Sequence, residues 1–148
     1  MNKSWIANGF TAANALFGGL SIMMSISGEY HVAAICILIA MAADAFDGRV
    51  ARALGTAGPM GVALDSLSDD ISFGVAAGAL MYSYQLRELG AFGFIPCALL
   101  GAFCAFRLAR FNVKVTSVHG YFEGLPCPTV GVIIACYVLS GVKIWNWL

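Results

Sequence analysis

Residues 44–69 read DAFDGRVARALGTAGPMGVALDSLSD, and the placement of charge in this stretch decides the fold. Asp44 and Asp47 form one pair of carboxylates, and Asp65 and Asp69 form a second, within sequence that is otherwise mostly apolar. Residues three or four apart share a face of an α-helix, so each pair projects from one helix. Because a carboxylate inside a membrane-spanning helix is costly, these four residues indicate a functional site.

The composition is that of an integral membrane protein. Of 148 residues, 60% are hydrophobic and only 11% are charged, and the mean hydropathy is +0.83. A soluble domain carries about 25% charged residues. We therefore predict an all-α fold, a polytopic transmembrane helix bundle formed by a single domain over residues 1–148. Basic and acidic residues balance at eight each, so the net charge carries no information about nucleic acid. No nucleic-acid partner is expected for a membrane bundle of this kind.

Five largely uncharged runs are predicted to be membrane spans, each of which needs about 20 mostly apolar residues. The first lies within an uncharged run from Ser4 and is interpreted as a retained span rather than a cleaved signal peptide. Gly55, Gly58 and Pro59 end the second span, because glycine and proline interrupt helices. The predicted spans are residues 7–28, 31–52, 60–86, 89–106 and 124–142.

The distribution of basic residues predicts the orientation. With a cytoplasmic N-terminus, six basic residues fall on the cytoplasmic side and two on the other, as the positive-inside rule requires. The six are Lys3, Arg49, Arg52, Arg107, Arg110 and Lys114, and the two are Arg87 and Lys143. The four aspartates then lie at the cytoplasmic surface of the inner membrane.

The two carboxylate pairs are expected to converge on metal. The link between the second and third spans is about a dozen residues, so these helices should pack as antiparallel neighbours. Four carboxylates brought together repel one another unless cations neutralise them. With oxygen ligands only, the expected ions are Mg²⁺ or Mn²⁺, one or two of them. Asp70 points about 100° away from Asp69 on an ideal helix and is left outside this group.

Three other residues of the stretch have two interpretations each. Gly48 and Gly61 would let a ligand approach the backbone closely, or would only permit tight helix packing. Arg52 would hold phosphate oxygens with its forked guanidinium, or would serve as a cytoplasmic anchor. The residues alone leave both interpretations open.

The same stretch has a fixed pattern, D-x-x-D-G-x-x-A-R, then eight residues, then G-x-x-x-D-x-x-x-D. This pattern resembles the signature of the CDP-alcohol phosphotransferase family, integral membrane enzymes of phospholipid synthesis. Further segments are similar to the phosphatidylserine synthase branch of that family. They are N-x-x-T-x-x-N-x-x-x-G-x-x-S at 8–21, SFGVA at 72–76, FRLARFN at 106–112 and FEGLPCP at 122–128. The family usually has six core helices, whereas five are counted here.

The resemblance implies a role for each residue of the pattern. Asp44, Asp47 and Asp65 would bind a pair of divalent metals, and Asp69 would contact metal and act as general base. An acceptor hydroxyl would attack the lipid-side phosphorus of CDP-diacylglycerol, and CMP would leave. A homodimer in the lipid bilayer is also implied. The residues implied to line the nucleotide and lipid-substrate site are Gly48, Ala51, Arg52 and Gly61, with Thr11 and Asn14 from the first span.

Arg107, Arg110 and Asn112 are the candidates for binding the acceptor, because an arginine fork binds the carboxylate of L-serine well. The same arginines would also serve as anchors that extend to the membrane surface. The resemblance favours L-serine, whereas glycerol 3-phosphate or inositol phosphate would call for a denser basic cluster. Two hypotheses from other classes stay open, a divalent-cation transporter and a small assembly protein without activity.

Overall fold

The structure, a computed structural model, describes residues 4–54, 58–114 and 126–143, and the side chains of 8–50, 58–113 and 126–143. All the regular structure in these ranges is helical, which confirms the predicted all-α class. Lys3, the motif residues 122–125 and the start of the predicted span at 124 lie outside the described residues. The α-helices of the described residues are α1 (Ser4–Ile26), α2 (Tyr30–Leu54), α3 (Pro59–Asp69), α4 (Ala76–Met81), α5 (Ala91–Lys114) and α6 (Cys127–Leu139).

The third rod of the bundle is a composite helix over residues 59–86. It runs from α3 through a π-helical segment (Asp70–Val75) into α4, and then through a second π-helical segment (Tyr82–Leu86). A π-helix bonds each residue to one five positions away, and such segments occur mostly as short insertions, frequently at functional sites. The sequence predicted this rod without predicting its π-helical segments.

Three of the described helices are long and apolar enough to cross a membrane by length and composition. They contain the candidate spans Asn8–Ile26, Tyr30–Val50 and Ala91–Val113. Together with the composite helix and α6, they make five helical segments in the described residues. Helix α6 is a shorter apolar helix of 13 residues. The architecture confirms a polytopic membrane bundle.

The predicted limits of the fourth span, 89–106, were wrong at both ends. Residues Arg87–Leu89 form a short 3-10 turn, and Gly90 follows with a φ of 53°. That left-handed conformation suits glycine because it lacks a Cβ atom. At the other end α5 continues to Lys114, since leaving the apolar layer does not end a helix and arginine is a good helix former.

Helix α1 occupies the centre of the arrangement that holds the aspartates. It packs along α2, where the Ser21 hydroxyl donates a 2.9 Å hydrogen bond to the carbonyl of Ala33. It also packs against α3 and the first π-helical segment, whereas α2 and α3 make little backbone contact with each other in the described ranges. The expectation that the second and third spans are neighbours agrees with the contacts of α2 with the first π-helical segment and α4, while α1 lies against both spans.

Candidate functional site

The carboxylates of α2 and α3 meet although their helices pack little against each other. One oxygen from each of Asp44, Asp47 and Asp65 lies within 4.8 Å of the other two. These three residues are called the acidic cluster below. Asp47 is buried and the other two are half-buried. The predicted convergence is thus present for three of the four aspartates.

Asp69 lies beside this cluster rather than within it. Its carboxyl is next to that of Asp44, one helical turn after Asp65, and the side chain is buried. The amide Nδ2 of Asn14 donates a 3.1 Å hydrogen bond to Asp69 Oδ1. Asp69 therefore has a fixed orientation next to the cluster, which suits a group that acts on a ligand held there.

Helix α1 supplies the polar side chains that hold the aspartates. Thr11 and Asn14 are three positions apart, so they share a face of the helix, and both are buried. Thr11 Oγ1 donates to Asp47 Oδ2 at 2.8 Å, while Asn14 bonds Asp69. The resemblance implied contacts of these two residues with nucleotide or lipid. The structure shows that each has a carboxylate partner.

The position of Asn14 is itself fixed by close contact between α1 and the composite helix. The hydroxyl of Ser72 donates a 2.9 Å hydrogen bond to the backbone carbonyl of Asn14. One turn further along α1, a Cβ atom on Gly18 would lie 2.9 Å from the Ser72 Cα, so only glycine allows this approach. Ser72 begins the SFGVA segment, but its position in the sequence did not predict this contact.

The acidic cluster fits a divalent cation. The Oδ1 atom of Asp65 is buried and has no hydrogen-bond partner in the described residues, which leaves a lone pair for a ligand. The cluster contains oxygen donors only, the ligand type that Mg²⁺ and Mn²⁺ prefer. Coulomb repulsion among carboxylates this close favours a bound cation. Asp44, Asp47 and Asp65 are therefore able to hold such an ion.

The surroundings of Gly61 favour one of its two interpretations. In the described part of the chain, a Cβ atom at Gly61 would meet no atom within 4 Å, so no tight helix packing is seen there. Open space one turn before Asp65 agrees better with the approach of a ligand. Gly48 is half-buried next to Asp47. Ala51 and Arg52 belong to α2, but their side chains lie outside the described residues.

The three acceptor candidates lie on the last turns of α5, beyond the predicted end of the fourth span. Arg107 is half-buried, and its Nη1 is 3.4 Å from the thiol of Cys127. Asn112 is exposed, and its Nδ2 donates a 2.9 Å hydrogen bond to the hydroxyl of Ser66, next to Asp65. Arg110 is exposed. A hydrogen bond therefore joins this end of α5 to α3, the helix that contains Asp65.

Comparisons with known proteins match the chain to one protein family. Residues 4–148 match the family model described as CDP-alcohol phosphatidyltransferase. No solved structure matches the chain.

Three curated relatives are similar to most of the chain. A CDP-diacylglycerol–serine O-phosphatidyltransferase of Helicobacter pylori is 37% identical over 92% of this chain and 58% of the relative. An archaetidylserine synthase of Methanothermobacter thermautotrophicus is 40% identical over 86% of this chain and 55% of the relative. A CDP-diacylglycerol–serine O-phosphatidyltransferase of Bacillus subtilis is 37% identical over 84% of this chain and 70% of the relative. The chain thus spans little more than half the length of the first two relatives.

Proposed function

The chain belongs to the CDP-alcohol phosphatidyltransferase family, and on that premise we propose that it transfers the phosphatidyl group of CDP-diacylglycerol to the hydroxyl of L-serine. The products are phosphatidylserine and CMP. The names of the relatives from Helicobacter pylori and Bacillus subtilis support serine as acceptor. The observation that carries the proposal is the meeting of Asp44, Asp47 and Asp65 within 4.8 Å, with Asp69 beside them.

We propose that Asp44, Asp47 and Asp65, with Asp69 as a fourth ligand, hold one or two Mg²⁺ or Mn²⁺ ions. Such ions, when bound, neutralise charge on the phosphate oxygens of the nucleotide-linked lipid. The unpaired Oδ1 of Asp65 supports this assignment. Open backbone at Gly61 leaves room for the nucleotide, and we assign Gly48, Ala51 and Arg52 to the same subsite.

Asp69 is the proposed general base. As the serine oxygen forms its bond to the lipid-side phosphorus, the serine hydroxyl proton passes to the Asp69 carboxylate, and the bond from that phosphorus to CMP breaks. Asn14 donates its hydrogen bond to Asp69 Oδ1, which fixes the orientation of the proposed base. Thr11 fixes Asp47 in the same way.

The acceptor side of the site is assigned to the end of α5. Arg107 is half-buried, so its guanidinium is partly shielded from water and binds a carboxylate more strongly than an exposed one would. Asn112 bonds Ser66, and Arg110 is exposed three positions after Arg107, on the same face of α5. We propose that Arg107 contacts the serine carboxylate, while Arg110 and Asn112 complete the entrance.

The surroundings of the site support a multi-pass protein of the cytoplasmic membrane. Large apolar side chains are exposed on several helices, among them Met23, Phe92, Phe103 and Phe106, as expected where a helix faces acyl chains. The proposed site then faces the cytoplasm, as the positive-inside rule predicts. The family resemblance supports a homodimer, which cross-linking in native membranes would detect.

An acceptor panel with the purified protein tests the proposal. CDP-diacylglycerol is supplied with labelled L-serine, glycerol 3-phosphate or inositol phosphate, and CMP and lipid products are measured. We expect phosphatidylserine and an equal amount of CMP, and loss of both in chelator. Product from glycerol 3-phosphate but none from serine would show that glycerol 3-phosphate, and not serine, is the acceptor. Cation flux into sealed vesicles without CMP release would favour a transporter instead.

A further inference from the structure

A cavity of about 400 Å³ lies towards the end of the bundle away from the aspartates. Tyr30, Tyr84, Arg87 and Lys143 are among the residues that line it, and it is called the tyrosine cavity below. Tyr30 begins α2, and Asp44 lies about four turns, or about 21 Å, further along the same helix. The proposed transfer reaction therefore makes no use of this cavity.

Three packed aromatic rings border the tyrosine cavity. Tyr30 belongs to α2, Tyr84 to the second π-helical segment and Tyr137 to α6. The Tyr84 ring contacts the other two edge-on, with centroid separations of 5.6 Å to Tyr30 and 6.0 Å to Tyr137. Because Tyr84 is buried and packed against two other rings, its position is fixed by the fold itself.

Two cationic side chains meet at the tyrosine cavity although they are far apart in the sequence. Arg87 lies on the 3-10 turn that follows the composite helix, and Lys143 Nζ lies 5.4 Å from the centroid of the Tyr84 ring. The second distance is that of a cation–π contact, which holds the ammonium group above the buried ring. Neither cation has a salt bridge within the described part of the chain, so both are available to an anion.

The charge on the cavity walls suits an anion with one negative charge. Glu88 also lines the cavity, so two cations and one carboxylate leave a net charge of +1. The Tyr137 hydroxyl donates a 3.1 Å hydrogen bond to Gln85 Oε1, and the Gln85 amide nitrogen has no acceptor within the described residues. The hydroxyl of Ser83, another lining residue, also has no partner in that part of the chain. These donors and cations complement the oxygens of a phosphodiester, which carries a single negative charge.

The surroundings of the cavity indicate that the phosphodiester belongs to a lipid. Three apolar side chains close in sequence to the charged lining residues are exposed, namely Leu89, Phe92 and Val142. Tyrosine side chains are enriched at the depth where the headgroups of a membrane meet its acyl chains. A phospholipid would place its phosphate between the two cations and its chains against the exposed apolar side chains. Free phosphate would leave those side chains uncovered.

We propose that the tyrosine cavity binds the phosphodiester of a membrane phospholipid, on the face of the bilayer opposite the acidic cluster. Arg87 binds the phosphate oxygens with its guanidinium fork, and Lys143 supplies a second positive charge. Ser83 and Gln85 donate hydrogen bonds to the same group. No bond is made or broken in this lipid, and the site is independent of the proposed transfer to serine.

Photochemical labelling of the purified protein in detergent gives the first test. The probe is phosphatidylglycerol with a diazirine at the start of one acyl chain, and labelled peptides are identified by mass spectrometry. We expect label within residues 82–92 and 137–143, and loss of that label in excess unlabelled phosphatidylglycerol. Diacylglycerol with the same chains should not compete, because it lacks the phosphodiester. Equal competition by diacylglycerol, or absence of label from both ranges, would overturn the proposal.

Charge variants of the lining residues give the second test. In Arg87→Gln and Lys143→Gln, we expect the phosphatidylglycerol concentration for half-maximal labelling of these ranges to rise at least about tenfold, since a charge-assisted contact is lost. Glu88→Gln is the matched control, because it removes a charge of the opposite sign from the same cavity and should bind at least as tightly. Unchanged labelling in both cation variants would overturn the proposal. Thermal unfolding without lipid reports folding, and if a variant does not fold, labelling of the unmodified protein decides the question.

Inorganic phosphate distinguishes a lipid from a soluble ligand with the same chemistry. A large molar excess of phosphate is added during labelling, and chloride at equal ionic strength controls for screening. We expect both salts to have the same effect, because phosphate lacks the acyl chains that hold the lipid at the cavity. Specific displacement by phosphate would show that the cavity takes a soluble phosphate and would overturn the lipid assignment.

Discussion

Two side chains of α1 fix the orientation of two of the aspartates. Asn14 and Thr11 are hydrogen-bonded to Asp69 and Asp47, so α1 fixes one carboxylate on each of the other two helices. A buried hydrogen bond to a charged group contributes about 1.5–3 kcal/mol. Asp69 and Asp47 thereby each have a fixed orientation at the site.

At the residue scale, Asp69→Asn is expected to abolish turnover while binding of CDP-diacylglycerol survives. Asparagine has nearly the same shape, so it preserves packing beside Asn14, but it cannot accept the proton of the serine hydroxyl. Single-turnover CMP release and equilibrium binding of the lipid would be measured together. Glu88→Gln removes an exposed carboxylate elsewhere and serves as the control. Unchanged turnover would exclude Asp69 as the base.

Asn14→Leu is expected to lower kcat at least about tenfold with little change in KM for CDP-diacylglycerol. The reason is that Asp69 loses the donor that orients it, and a lost buried hydrogen bond costs about 1–3 kcal/mol. Steady-state kinetics in both substrates provide the measurement. Ser25→Ala is the matched control, because Ser25 is also buried on α1 but bonds only its own helix backbone. A raised KM with unchanged kcat would instead indicate direct contact of Asn14 with the lipid substrate.

At the scale of elements, the close packing of α1 against the composite helix positions the residues of the site. Ser72 lies in the first π-helical segment and bonds the carbonyl of Asn14, while Gly18 gives it room. The same segment turns Asp70 towards α5 and leaves Asp69 facing α1. The adjacent residues Asp69 and Asp70 thus face different helices.

The neighbouring glycines of α1 offer a matched pair of substitutions. Gly18→Ala is expected to destabilise the fold by about 1–3 kcal/mol, because its Cβ would meet the backbone of Ser72. Gly19→Ala meets no atom within 4 Å and should be neutral or stabilising by up to about 1 kcal/mol, since alanine favours helix. Thermal unfolding in detergent compares the two. Equal effects would contradict the proposed close contact.

At the scale of the whole molecule, bound cations should stabilise the bundle. A ligand at about a hundred times its Kd adds about 2.7 kcal/mol if it binds only the folded state. We therefore expect Mg²⁺ or Mn²⁺ to raise the midpoint of thermal unfolding by several degrees and chelator to reverse it, with activity following in both directions. Asp65→Asn should lose this shift and Glu88→Gln should keep it. A shift that persists in Asp65→Asn would contradict the assignment of the metal ligands.

The linear pattern predicted the kind of molecule and three of the aspartates that lie together in it. Long runs without charge, and aspartates three or four positions apart, are local properties of the sequence. They indicate membrane helices and a polar face on each of two of them. The pattern was sufficient for an all-α membrane bundle and for the pairing of Asp44 with Asp47 and of Asp65 with Asp69. It failed at the ends of α5, where turn geometry and helix propensity, rather than hydropathy, set the limits.

Contacts between distant helices were decided only by tertiary structure. The short link between α2 and α3 did not indicate that α1 lies against both and supplies Thr11 and Asn14 to their carboxylates. The orientation of Asp70 towards α5 likewise depends on the π-helical segment and on close approach at Gly74. Helical periodicity specifies which face a side chain occupies, but which helix covers that face depends on the fit of small residues across the bundle.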